Sequence, residues 1–263
     1  MMAAGGNDIE IRLATTDDDR LGVYRLRYRV FQGEFGSTGA GVDHDRKTES
    51  DIFDSHAEHL IIVDRELSRG SRDHIVGTCR LLTSKSATAS GPGYYSATEF
   101  DLGPLLKQNA CLLEVGRTCL LPAYRNGATL YTLWTGLADY VLNHGIQILF
   151  GVASYHGTDP EPFRQSLSYL HHHHLAPPRL RVTSRDCRDW QSILLPPGSI
   201  DRRAALASTP PLIKTYLRLG GSIGHGAFID TEFRTVDVCI LLDTRQMHQS
   251  RRAAFESKSG AGS

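Results

Sequence analysis

The chain is 263 residues long, 40% hydrophobic and 22% charged, which suits one large or two small globular domains. Its 29 Lys and Arg balance 29 Asp and Glu, so no global field draws it to nucleic acid or to a membrane surface, and docking must rest on local charge. No apolar run reaches the roughly 18 residues of a membrane span; Leu130 to Ala153 is interrupted by Asp139, Asn143 and His144, and Met1 to Glu10 lacks the apolar run of a signal peptide. A cytoplasmic protein is expected, with peripheral membrane contact left open.

A strand is expected over Ile9–Ala14. Thr16, followed by Asp17, Asp18 and Asp19, reads as a helix cap with acids in the first turn. The helix behind it carries Leu21, Tyr24, Tyr28 and Phe31 at helical spacing and ends at Gly33 and Gly36. From Gly36 to Ser55 the chain is polar and acidic without apolar periodicity, a long ordered loop of the kind that is usually functional.

His59–Arg65 and Ile75–Leu82 are β-branched runs joined by the polar Ser68–Asp73, a hairpin. A Ser/Thr/Gly-rich stretch, Thr83–Ser96, leads to the strongest strand, Cys111–Leu121. An amphipathic helix follows over Thr129–Asn143, with Leu130, Leu133, Trp134, Leu137 and Val141 on one stripe. Ile146–Ser154 is a continuous apolar run, which suits a strand buried on both faces. Thr158-Asp159-Pro160-Glu161 has the form of a capping box opening a helix that runs to about His173. Arg179–Arg203 is basic and irregular. A helix over Pro211–Leu219 stops at Gly220-Gly221, strands follow at Gly226–Glu232 and Val236–Asp243, and the polar tail 246–263 is expected to fray. The mixed order, without repeat or linker, predicts a single α/β (α+β) domain with its core over about 8–245.

Four charged groups lie where apolar residues would be expected. Arg27 shares a helix face with Phe31, so it either pairs with an acid or runs its stem along the core edge. Asp51 and Asp54 flank Phe53 at the end of the acidic loop, as a grip for an ammonium group or as a solvated turn. Glu114 and Arg117 fall within the strongest strand; Gly116 between them suggests a bulge that brings both to one side. Arg80, again in a strand, pairs with one of these acids or binds a carboxylate. The five cysteines (Cys79, Cys111, Cys119, Cys187, Cys239) form no C-x-x-C and read as reduced thiols. His171 and His174 share a helix face, but further metal ligands are missing and no metal is expected.

Arg27-Tyr28-Arg29-Val30-Phe31, Asp51-Ile52-Phe53-Asp54, Gly77-Thr78-Cys79-Arg80-Leu81-Leu82 and Leu113-Glu114-Val115-Gly116-Arg117-Thr118 occur in an order and spacing that resembles the bacterial ornithine N-acyltransferases. The likeness continues through Gly93-Tyr94-Tyr95-Ser96, Gly157-Thr158-Asp159-Pro160, Leu167 to His172 and Gly226 to Asp230, and covers roughly Ile11 to Thr244. More distantly the set is similar to the acyl-homoserine lactone synthases; Ser37 stands where those carry a tryptophan, which points away from adenosylmethionine as acceptor.

The resemblance implies a GNAT-like acyltransferase fold with a central mixed, twisted sheet. It implies transfer of a 3-hydroxyacyl group from acyl carrier protein to the α-amine of L-ornithine, giving lyso-ornithine lipid. No resident cofactor is expected, the carrier's phosphopantetheine thioester being a co-substrate. Arg125-Asn126-Gly127-Ala128 is only a degenerate form of the GNAT pyrophosphate loop, in keeping with a carrier-protein donor. Carried over, the resemblance places Arg27, Phe31, Asp51, Asp54, Arg80, Glu114 and Arg117 around the site. In the resulting mechanism Glu114 takes the amine proton, and Arg117 holds Glu114 or the carrier arm. A backbone N–H freed at Gly116 receives the oxyanion, Asp51 and Asp54 hold the side-chain ammonium, and Arg80 or Arg27 holds the carboxylate. An acidic carrier needs a basic face, for which Arg179, Arg181, Arg185, Arg188, Arg202 and Arg203 are the supply.

Overall fold

The computed structural model describes residues 8–39, 41–68, 74–89 and 91–246. The expected frayed tail, beyond its first residue, and most of the Ser68–Asp73 connection lie outside these.

One sheet organises the chain. Its strands are β1 (Ile9–Leu13), β2 (Glu58–Asp64), β3 (Ile75–Thr83), β4 (Leu112–Leu120), β5 (Ile148–His156), β6 (Ser222–Ile223), β7 (Phe228–Asp230) and β8 (Thr235–Asp243). The order across the sheet is β1-β2-β3-β4-β5-β8-β6, with β7 also pairing β8. Every pairing is antiparallel except β4 with β5.

Helices cover both faces, as the two-residue side-chain period of β2 shows. Ile61 and Val63 pack with Val23, Leu26 and Val30 of helix α1 (Asp17–Arg27) and the turn after it. Leu60 and Ile62 join Leu133, Leu137 and Val141 of α2 (Gly127–Asn143) on the opposite face. That second core continues through Leu167 and Leu170 of α3 (Arg164–His174), past the short α4 (Arg202–Ser208), to Ile213 and Tyr216 of α5 (Pro211–Arg218). Gly136 lets α2 lie against β1, since a Cβ there would fall 2.4 Å from Ile11 Cδ1.

Several local expectations shift. Thr16 does cap α1, in a reciprocal box with Asp19, but Leu21 is exposed and the buried stripe is Val23, Leu26, Arg27 and Val30. The helix packs closely at Gly22, where a Cβ would lie 2.8 Å from Ile75 Cδ1. The helix then widens into a π-helical turn over Tyr28–Gln32, a form that recurs at functional sites. Thr158 caps nothing: Asp159 accepts from Glu161 N at 3.0 Å, and the turn Glu161–Phe163 leads into α3. Within the basic segment, α4 is an unforeseen helix capped by Asp201. The acidic loop carries a small ladder, Val42–Asp43 with Thr48–Glu49.

Candidate active site

The parallel ladder between β4 and β5 stops at Glu114↔Phe150, although β4 runs on to Leu120 and β5 to His156. The two strands therefore part, and the gap opens into a cavity of about 540 Å³, within the usual range for ligand pockets. At the apex Gly151 has no alternative, because a Cβ would stand 2.1 Å from the Val115 carbonyl oxygen.

The bulge expected in β4 is present. Between Thr78↔Cys119 and Arg80↔Gly116 the strand β4 gains one residue over β3. The residue that takes the left-handed conformation is Arg117, with φ 51°, rather than Gly116. The parity change has the expected result: Glu114 and Arg117 both line the cavity. Gly116 lines it too, with open space where its Cβ would be.

Arg27, Glu49, Asp51, Asp54, Arg80 and Arg117 form one network behind the cavity wall. Arg27, fully buried, donates to Glu49 and, at 2.6 Å, to Asp54. Arg80 reaches Asp51 at 2.5 Å and Asp54 at 3.2 Å, and Arg117 reaches Asp51 at 2.9 Å. Burial alone would raise both aspartates, but the Arg80 and Arg117 charges hold Asp51 well below the usual carboxylate range, and the Arg27 and Arg80 charges lower Asp54. Neither aspartate lines the cavity; Asp51 Oδ1, already bonded to Arg80, also accepts from the Phe53 amide, and Asp54 Oδ2 accepts from the Asp51 amide. The two acids expected to grip a substrate ammonium are thus both bonded to guanidinium groups and lie outside the cavity lining. Arg27 is likewise committed to the network and does not line the cavity, so it cannot serve as the carboxylate ligand. Arg80 does line the cavity, and Phe31 lines it edge-on to Phe233.

Glu114 is buried on β4, and burial pushes its pKa up against hydrogen bonds that favour the charge. It accepts from Tyr95 N at 2.9 Å and Ser96 N at 2.6 Å, the first residues of the turn Tyr95–Thr98. Arg117 does not hold it; its guanidinium lies between the rings of Tyr95 and Phe233, 4.5 and 4.2 Å from their centroids.

Beyond that turn the cavity meets three buried acids, Glu99, Asp230 and Asp237. Each offers a carboxylate oxygen, all within 4.8 Å of one another. Burial, reinforced by the neighbouring acids, pushes Glu99 well above the normal range and Asp237 up to about 7. Sequence reasoning passed over all three. Asp237 carried the signal that flagged Glu114, an acid inside an apolar strand.

At the cavity's other side lie Leu130 of α2, Leu212 and Tyr216 of α5 and Ile240 of β8. The α2 N-terminus, capped by Asn126 on Thr129 N, also faces it, while Arg125 is tied to Glu34 by two 2.5 Å contacts.

The arginines expected to dock a carrier protein are largely engaged. Arg181 Nε donates to the Ala176 carbonyl and Arg185 Nε to those of Ala97 and Phe100. Arg179 faces Asp243 at 3.5 Å and Arg188 faces Asp186 at 2.5 Å. Arg202 and Arg203 are exposed on α4. His172 bonds the Leu195 carbonyl, and His171 lies edge-on to His225. Cys79, Cys119 and Cys239 are buried, and burial raises all three thiols.

Residues 26–135 match a family described as an acetyltransferase (GNAT) domain. An L-ornithine N(alpha)-acyltransferase of Rhodobacter capsulatus is 46% identical over 97% of each chain. One from Rhizobium meliloti is 39% identical over 89% of this chain and 80% of its own. Among solved structures, an N-acyl amino acid synthase from uncultured soil microbes superposes with a TM-score of 0.53 at 12% identity, covering 92% of this chain and 93% of that one. A CoA-dependent acyl-homoserine lactone synthase follows at 0.51 and 13%, covering 97% and 91%. These two show the fold alone.

Proposed function

The chain belongs to the L-ornithine N(alpha)-acyltransferase family, and from that premise we propose that it moves a 3-hydroxyacyl group from the phosphopantetheine thioester of acyl carrier protein to the α-amine of L-ornithine. The product is lyso-ornithine lipid. The observation that carries the reading is the parting of β4 and β5 over one cavity with acids at one side and apolar walls at the other. A thioester arm enters between the parted strands, the acyl chain lies against Leu130, Leu212 and Tyr216, and a cationic acceptor meets the acids.

The reaction is direct attack. The α-ammonium of ornithine loses a proton to Glu114, whose pKa burial has raised towards the working range of a general base. The free amine adds to the thioester carbon, forming the C–N bond, and the oxyanion is received by backbone N–H groups of β4 about Gly116, on the side that β5 has left. Collapse breaks the C–S bond. The pantetheine thiolate takes the second nitrogen proton and leaves as thiol, so one proton passes to solvent per turnover.

The carrier docks by charge, with Arg202 and Arg203 as the exposed supply. Turnover with acyl carrier protein then falls steeply with salt, whereas turnover with a short pantetheine thioester does not. Among the described residues no helix is long and apolar enough to cross a membrane; transient surface contact delivers the lyso product to its second acylation.

The test is a transfer assay with 3-hydroxyacyl carrier protein and a panel of amino acids, read by mass spectrometry. Acylornithine as the dominant product is expected. Acylation of another amino acid in preference moves the acceptor, and no product with any acceptor from folded protein overturns the reading.

A further inference from the structure

The acids at the β8 side of the cavity lack a cation. Glu99 is 2% exposed, and apart from the Tyr95 hydroxyl, which favours its charge, neither of its oxygens meets a donor; Oδ1 of Asp237, also 2% exposed, has none. Asp230 spends Oδ1 on the Glu232 and Phe233 amides and leaves Oδ2 with only the Tyr95 hydroxyl, at 3.4 Å. A buried carboxylate without a partner is costly. Arg117, whose charge is felt by both Glu99 and Asp237, is committed to Asp51 and to its two aromatic rings.

We propose that Glu99, Asp230 and Asp237 form the pocket that holds the side-chain ammonium of the acceptor, taking the role the sequence had assigned to Asp51 and Asp54. The inference rests on the acyltransferase reading and says how one amino acid is chosen. An ammonium has three N–H donors, and the site offers three acids. A point equidistant from three oxygens spaced by up to 4.8 Å lies up to about 2.8 Å from each, a normal charge-assisted hydrogen bond. Magnesium would require about 2.1 Å and a largely octahedral shell. Burial and mutual repulsion raise Glu99 and Asp237, and an ammonium among the three acids would offset that cost. An acceptor without a side-chain amine leaves the acids unpaired, which gives the discrimination.

The experiment compares kcat/KM for ornithine with that for norvaline, the same amino acid without its terminal amine, in wild type, Glu99→Gln and Asp237→Asn. Wild type is expected to favour ornithine by about 100-fold or more. Each variant is expected to lower that ratio at least tenfold, whatever happens to the absolute rate. Ornithine should also raise the melting temperature of wild type and not of Glu99→Gln. An equal fall for both acceptors, with the ratio kept, overturns the pocket and makes the acids merely structural. So does activity that chelator abolishes and magnesium or manganese restores. Wild type that acylates norvaline as well as ornithine removes the pocket but not the acyltransferase reading; wild type that acylates neither removes both.

Discussion

Replacing Asp54 with asparagine separates a structural from a substrate-binding role for the acidic loop. The side chain is 3% exposed and stands between Arg27 at 2.6 Å and Arg80 at 3.2 Å. Asparagine keeps the shape but leaves one guanidinium charge in excess, beside an Arg27 that is fully buried. Removing one partner of a buried pair costs about 3–5 kcal/mol. At roughly 2–4 °C per kcal/mol for a chain near this size, the melting temperature should fall by about 10 °C. Calorimetric melting gives that number, and the acylation assay run well below the new midpoint gives the other. Since Asp54 does not line the cavity, KM for ornithine should stay within about threefold of wild type. A melting temperature unchanged within about 2 °C, together with a 100-fold rise in KM, would refute the reasoning and return Asp54 to the substrate.

Glu114→Gln should lower kcat by about 100-fold or more if the carboxylate takes the amine proton. Stopped-flow single turnover on a preloaded donor checks this, and a loss confined to KM would deny Glu114 the role. For Asp237 the folded pKa, about 7, lies above the ordinary value of 3.8, so the folded state binds more protons than the unfolded state between them. Its contribution to stability is present below the unfolded pKa and is lost as pH rises through about 7. The melting temperature of Asp237→Asn should therefore gain on wild type from pH 5 to about pH 7 without ornithine and level off above that; a constant gap over the same range contradicts it. Gly151→Ala, with its Cβ driven onto the Val115 carbonyl, should cost about 1–3 kcal/mol or spread the strands and abolish transfer. A variant with wild-type melting and rate would show that the apex is not closed.

The main strands and α2 were legible because their patterns are strong: apolar runs, β-branched in β2 and β3, for β2 to β5 and β8, and a five-residue apolar stripe for α2. The bulge in β4 was legible from Gly116 standing between Glu114 and Arg117 in an otherwise regular strand, although the residue that takes the left-handed conformation is Arg117. Other features depend on partners distant in sequence. Nothing local tells that Asp51 and Asp54 meet Arg80 and Arg117 rather than water or ligand, since Asp51 and Arg117 lie 66 positions apart. The two-residue strand β6 is defined by pairing with β8, not by composition. Arg185 read as a surface cation, yet its amide donates to the Glu99 carbonyl at 2.8 Å and its side chain bonds the same turn. With Glu114 on the other side, it fixes the segment that carries Glu99, so a binding residue is placed by two charges that had been given other tasks.

The network behind the cavity holds three arginines against three acids, drawn from α1, the acidic loop, β3 and β4. Such a set constrains how the sequence can drift. Any one of the six that loses its charge leaves an opposite charge without its partner, so a neutral path must change opposite charges together or not at all. The loop from Gly36 to Ser55, held in the core by Phe53, should therefore vary freely at Asp45 and Arg46 on its exposed tip while Glu49, Asp51 and Asp54 change only in step with residues tens of positions away. Exchange of this loop between related chains would succeed only when its arginines travel with it.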